Sequence, residues 1–125
     1  MTTAVLDHTC LTALHGADSF FIGLYIEASR GGGSIVIPAL SAVVAEQAKQ
    51  GVGSHALALR HTSVADFTGV HAQDAGKWAR ADWRILHPAA LAVAAQRAGA
   101  DWTLLSLDPA LYEGTGVVPL NPLGD

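Results

Sequence analysis

Two aspartates, Asp7 and Asp108, each follow a short apolar run near opposite ends of the chain. Runs this short and apolar are typical of buried strands. The carboxyl ends of parallel strands open into a common crevice, so both carboxylates could lie in one pocket. Two carboxylates so close together repel each other unless a cation lies between them. This arrangement therefore favours a bound hard divalent ion such as Mg²⁺ or Mn²⁺. The alternative is that each aspartate only caps the turn after its strand.

A third carboxylate, Glu46, lies in a segment whose alanine, valine and glutamate residues have helical spacing. This spacing predicts a helix over residues 39–50 that ends at Gly51. Its carboxylate lies beside the apolar face, so it is either half-exposed at the surface or directed into the cleft. The surface is the commoner place, because glutamate is rarely buried without a partner.

Strands and helices alternate along the rest of the chain. The further strands are predicted at 34–37, 64–70 and 117–120, and the helices at 19–30 (a buried one), 39–50, 71–80 and 88–99. Residues 55–64 fit neither pattern clearly. The alternation predicts an α/β fold, a three-layer α/β/α sandwich with a mostly parallel central sheet. The length of 125 residues fits a single domain over 1–125.

Composition restricts the class of protein further. The chain is 50% hydrophobic and 14% charged, which predicts a compact globule, and no apolar stretch is long enough to span a membrane. The first residues lack the features of a secretory signal, so a cytoplasmic location is expected. The lone Cys10 has no disulfide partner and is expected to be buried. A net charge of −4 with only 7 Lys and Arg argues against strong nonspecific binding of nucleic acid.

Several short motifs occur in an order that is informative. They are Val-Leu-Asp-His-Thr at 5–9, Val-Ile-Pro at 36–38 followed by Glu46, an alanine-rich segment at 89–100, and Ser-Leu-Asp at 106–108. Together they resemble the PIN domain family of metal-dependent ribonucleases, and the resemblance covers nearly the whole chain. The segments 82–84 and 111–114 are similar to those of actinobacterial PIN-like proteins.

The resemblance implies a function and a set of site residues. Asp7, Glu46 and Asp108 would hold one or two Mg²⁺ or Mn²⁺ ions, while Thr9 and Ser106 would orient ligands or water. The ions would bind an RNA phosphate and lower the pKa of a coordinated water, whose hydroxide attacks the phosphorus in line. Toxins of this family commonly pair with a small antitoxin protein and commonly form homodimers, so both partners are expected.

One position departs from the family pattern. The acidic residue that normally begins the alanine-rich helix is replaced by His87 and Pro88. His87 could bind a transition metal such as Mn²⁺ or could form only local hydrogen bonds. Asp82 is a possible substitute carboxylate, and Asp74 a weaker one.

The loss of an acid leaves a second function open, a catalytically silent PIN-like module that binds RNA or a protein partner. A generic doubly wound nucleotide-binding domain is a third interpretation. It is disfavoured because no Gly-x-Gly-x-x-Gly follows the first strand.

Overall fold

A computed structural model describes residues 2–124, and this part of the chain forms four strands and six α-helices. The strands are Thr3–Leu6 (β1), Ser34–Pro38 (β2), Ser63–Ala65 (β3) and Trp102–Leu105 (β4). The helices are His8–His15 (α1), Ser19–Ser29 (α2), Ala39–Ala48 (α3), Val52–Ala58 (α4), Gly69–Ala75 (α5) and Leu86–Arg97 (α6). Short 3-10 turns occupy Trp83–Ile85 and Pro109–Tyr112.

The four strands form one parallel sheet in the order β3-β2-β1-β4. Parallel neighbours need long crossover connections, which here are helical and cover both faces of the sheet. Alternate residues of β1 divide between two cores: Leu6 packs with helices α1 to α4 on one face, and Val5 packs with α6 on the other. The predicted α/β class, with a parallel sheet between helical layers, is confirmed.

Several predicted elements differ from the structure. The strand predicted at 64–70 is only Ser63–Ala65; residues 66–68 form a loop, and residues 69–70 begin α5. The strand predicted at 117–120 is wrong, since Leu120 alone forms a bridge, to Leu105. Pro119 has no N–H to donate to a ladder, which accounts for the interruption. The helix predicted at 19–30 forms as α2, but it is a surface helix in which only Phe21 is buried.

No helix within residues 2–124 has the length and apolar character needed to cross a membrane.

Candidate functional site

Asp7 lies at the carboxyl end of β1 and caps the N-terminus of α1. Its Oδ1 accepts hydrogen bonds from the Thr9 N–H at 3.0 Å, the Thr9 hydroxyl at 2.5 Å and the Cys10 N–H at 3.2 Å. The first N–H groups of a helix have no partner within the helix, and a side-chain oxygen in this position satisfies them. The Asp7 side chain is completely buried, with 0% exposure.

The other oxygen of Asp7 is occupied by Tyr112, which the sequence did not mark as a site residue. The buried Tyr112 hydroxyl donates to Asp7 Oδ2 at 2.7 Å, across 105 residues of sequence. Burial and the charge of Asp7 raise the pKa of Tyr112, so the hydroxyl stays protonated and remains a donor. Both carboxylate oxygens of Asp7 are therefore engaged by donors of the protein itself.

Asp108 follows β4, the strand that neighbours β1 in the sheet. The pairing of Leu6 with Leu105 brings the ends of both strands to the same edge. The Thr9 hydroxyl accepts from the Leu107 N–H at 2.9 Å, which joins the Asp7 turn to the segment before Asp108. Unlike Asp7, Asp108 is exposed, and its N–H donates to the hydroxyl of the buried Ser106 at 3.1 Å. The two carboxylates thus start from adjacent strands but differ completely in access to solvent.

Glu46 lies on α3 and caps the next helix. Its Oε2 accepts from the Gly51 N–H at 2.8 Å, and its Oε1 accepts from the Ser54 N–H at 3.0 Å. Gly51 has a left-handed backbone (φ 95°), which lets the chain reverse between α3 and α4. The hydrogen bonds from Gly51 and Ser54 lower the pKa of Glu46. Its charge therefore stabilises the N-terminus of α4.

His87 lies in the first turn of α6 and is 1% exposed. Its Nδ1 accepts from the Leu40 N–H at 3.2 Å, and its Nε2 donates to the Asp66 carbonyl oxygen at 3.2 Å. Burial lowers the pKa of His87 to about 4, so the ring is neutral near pH 7. Since both ring nitrogens are engaged, His87 joins α3 and the loop after β3 to α6. This arrangement does not fit the alternative role of a metal ligand.

The two substitute carboxylates are each paired with an arginine. Asp82 accepts from Arg84 through Nε at 3.0 Å and through a terminal guanidinium nitrogen at 2.6 Å. This pairing lowers the pKa of Asp82 and raises that of Arg84. Asp74 pairs with Arg97 at 2.9 Å, which links α5 to α6. Both carboxylates therefore have a cationic partner within the chain.

His8 is a second polar residue that sequence reasoning did not select. It follows Asp7 directly and is buried, and its Nδ1 has no hydrogen-bond partner within residues 2–124. Burial lowers the pKa of His8, although the charge of Asp7 opposes this shift. Its position immediately after a strand-ending aspartate is the only sequence signal that would have marked it.

The three predicted metal ligands Asp7, Glu46 and Asp108 differ in their access to solvent and in their hydrogen bonding. Asp7 is sealed from solvent, and the oxygens of Glu46 are engaged by the start of α4. In the part of the chain that the structure describes, no three His, Cys, Asp or Glu side chains are grouped so that they could hold a metal ion. The metal-binding roles of these three carboxylates, and the orienting roles of Thr9 and Ser106, stay predictions.

A scan against protein-family models and a search of curated proteins find no match to this chain. The resemblance to the PIN domain family therefore rests on the motifs and their order alone.

Proposed function

We propose that this chain is a PIN-like domain without nuclease activity, which acts in the cytoplasm as a binding module for a protein partner. In this proposal the carboxylates that resemble a metal site serve the fold. Asp7 begins α1, Glu46 begins α4, and His87 replaces a family acid with a neutral link between elements.

The observation that carries this proposal is the state of Asp7. Its carboxylate is fully buried and accepts four hydrogen bonds, from Thr9, Cys10 and Tyr112. The Tyr112 hydroxyl takes up one lone pair of Oδ2, and the side chain is closed to solvent, so a divalent ion would reach it only after a local rearrangement. Hydrogen bonds to charged groups contribute roughly 1.5–3 kcal/mol each, so the protein donors compete strongly with an ion.

A protein partner is favoured over RNA by the charge of the chain. The net charge is −4 with 7 Lys and Arg, and two of these cations, Arg84 and Arg97, are already in ion pairs. Binding of RNA depends largely on neutralising phosphates, for which few cations remain. In contrast, large apolar side chains such as Trp83, Trp102 and Val118 are exposed on the described surface. Trp102 and Val118 line the same groove, and contiguous exposed apolar surface is typical of contacts with other proteins.

The stability of an Asp7→Asn variant tests the role of this carboxylate. An asparagine amide nitrogen cannot accept the Tyr112 hydrogen bond, so we expect the free energy of unfolding to fall by about 2–3 kcal/mol. Asp108→Asn is the matched control, since Asp108 is exposed, and little change is expected there. A stabilising effect of Asp7→Asn in metal-free protein would contradict the proposal, because it would reveal repulsion among carboxylates that await a cation.

Metal binding and RNA cleavage test the absence of nuclease activity. Calorimetry with Mn²⁺ is expected to show no saturable binding, and the protein is expected to leave single-stranded RNA intact. Saturable Mn²⁺ binding together with EDTA-sensitive cleavage that Asp7→Asn abolishes would overturn the proposal.

The second candidate function is a Mg²⁺- or Mn²⁺-dependent ribonuclease of toxin-antitoxin type. One observation favours it: Asp7 and Asp108 follow neighbouring strands, and Thr9 connects the two turns. A small antitoxin and a homodimer belong to this candidate as its expected partners. It requires the buried Asp7 carboxylate to become accessible to the ion. The Mn²⁺ and RNA experiments above distinguish the two functions directly.

A further inference from the structure

Two histidines that lie far apart in the sequence come together at the surface, where α1 and α4 end. The imidazole rings of His15 and His55 have their centroids 5.2 Å apart and their planes at 85°. His15 lies in the last turn of α1, and His55 lies in the last turn of α4. The pair is formed by the packing of the two helices, so no local spacing of histidines in the sequence indicates it.

Both rings are attached to a rigid base. Leu14, the residue before His15, and Ala56, the residue after His55, are buried in the same apolar core. The backbones that carry the two histidines are therefore held at a fixed separation by the packing of α1 against α4. A ligand that bound both rings would need to order only the two side chains, which keeps the free-energy cost of binding low.

The nitrogens of both rings are free to bind a ligand. His55 is exposed and His15 is half-buried, so solvent reaches the pair. Within residues 2–124, the histidine rings that take part in hydrogen bonds are those of His71 and His87, and neither ion pair involves a histidine. A neutral imidazole with a free nitrogen is a common metal ligand, so two such rings side by side are suited to a metal ion.

The separation of the rings matches a shared ion. With a metal–nitrogen bond of about 2.0 Å, two imidazoles on one tetrahedral ion have ring centroids roughly 5.2 Å apart. The centroids of His15 and His55 are separated by 5.2 Å. The angle of 85° between the planes is compatible with this, because each ring can turn about its metal–nitrogen bond. The same distance also fits an edge-to-face contact without an ion, and a metal titration separates the two.

The electrostatic surroundings of the pair favour a cation. Both histidines lie in the last turn of a helix. The end of a helix carries a partial negative charge of about half an elementary charge, because its last carbonyl groups lack partners within the helix. Two helix ends of this kind meet at the pair, and the whole chain has a net charge of −4. A bound anion would therefore be repelled here, whereas a divalent cation would be stabilised.

We propose that His15 and His55 form a metal site, the α1–α4 histidine site, which binds one divalent ion of the zinc, nickel and copper class. Each ring would supply one nitrogen, and water would fill the remaining positions of the ion. Imidazole is a preferred ligand of these ions, whereas Mg²⁺ and Mn²⁺ prefer oxygen. His15 lies at the far end of the eight-residue α1, roughly 12 Å from Asp7 at about 1.5 Å per residue. The site is therefore separate from the carboxylates at the sheet edge and goes beyond the proposed function.

Calorimetric titration of the whole chain with Zn²⁺, in protein without an affinity tag, tests the site. One ion per chain is expected to bind saturably, and His15→Gln and His55→Gln should each raise the Kd by about tenfold or more, because each removes one of two protein ligands. His61→Gln is the matched control, since His61 is exposed and its ring lies beside Tyr25, and its Kd should equal that of the wild type. In NMR spectra of the wild type, the ring signals of His15 and His55 should shift together as Zn²⁺ is added.

Three outcomes would overturn the inference. The first is the absence of saturable Zn²⁺ binding to the folded wild type, which would leave the pair as an edge-to-face contact only. The others are an equal loss of binding in His61→Gln and a shift of only one of the two rings. Saturable Mn²⁺ binding with RNA cleavage would instead refute the proposed function. Zn²⁺ binding that depends on His15 and His55 would still stand in that case, so the two failures are separable.

Discussion

Lowering the pH below neutrality should destabilise the protein through His87. Its pKa is about 4 in the folded state and near 6.5 in the unfolded chain, so between these values the unfolded state binds more protons. Stability is therefore complete above pH 6.5 and falls as the pH drops towards 4. The main cause of the lowered pKa is burial of the ring. In addition, a proton on Nδ1 would remove the acceptor for the Leu40 N–H.

The size of this effect follows from the interval between the two pKa values. One pH unit corresponds to 1.36 kcal/mol, so the loss from this group amounts to about 3 kcal/mol. His87 is 1% exposed, so solvent screening reduces the effect little. A loss of this size is a large fraction of the roughly 5–15 kcal/mol by which domains are stable.

Urea unfolding of the wild type and of His87→Asn between pH 7 and pH 4 measures the effect. The asparagine oxygen can replace Nδ1 as the acceptor for Leu40 but takes up no proton. The variant should be less stable at pH 7, because it loses the ring contact with Phe67 and the bond to Asp66. Its stability should nevertheless fall by about 3 kcal/mol less than that of the wild type over this range. Parallel curves for the two proteins would show that His87 does not titrate as its burial requires.

Two further substitutions test the hydrogen bonds that the Asp7 and Glu46 carboxylates accept. Tyr112→Phe leaves Asp7 Oδ2 buried without its donor and should lower the free energy of unfolding by about 1–3 kcal/mol. Tyr25→Phe, at a half-buried tyrosine, is the control. Equal effects of the two variants in urea unfolding would refute a stabilising bond between Tyr112 and Asp7. Glu46→Gln loses one of its acceptors for the start of α4 and should speed amide exchange at Ser54 several-fold, whereas no change there would contradict the cap. The stabilisation by Glu46 should disappear as the pH falls through its lowered pKa, because the protonated group accepts these bonds poorly.

The fold could be predicted from the sequence where the hydrophobic pattern and the prolines and glycines that end elements indicated the same boundaries. β1 and β2 are short apolar runs buried on both faces. α3 begins directly after Pro38, and α6 carries Pro88 in its first turn, where proline is tolerated. The pattern failed for β3, whose three residues are partly exposed at the sheet edge and carry no distinctive apolar run. It also failed at 117–120, where apolar residues alone suggested a strand although only Leu120 pairs.

The site was predictable in its chain positions but not in its contacts. A short strand followed by aspartate placed Asp7 and Asp108 at one edge of the sheet, and the observed pairing of β1 with β4 agrees with this. No local signal indicated that Tyr112, 105 residues away, would bond the second oxygen of Asp7. Likewise, the cap that Glu46 provides depends on the reversal at Gly51, which brings the start of α4 back onto α3.

An aspartate at the end of a strand can cap the next helix and bind a metal at the same time, because it has two oxygens. Helix capping in this chain uses Oδ1, and the capping motif around Thr9 is therefore equally compatible with a metal site and with a structural role. Oδ2 is what separates the two roles. A free and accessible Oδ2 would leave one oxygen for an ion, whereas here Tyr112 donates to it inside the core. The motif of residues 5–9 is therefore compatible with both roles, and the contact that bears on the choice comes from Tyr112, near the other end of the chain.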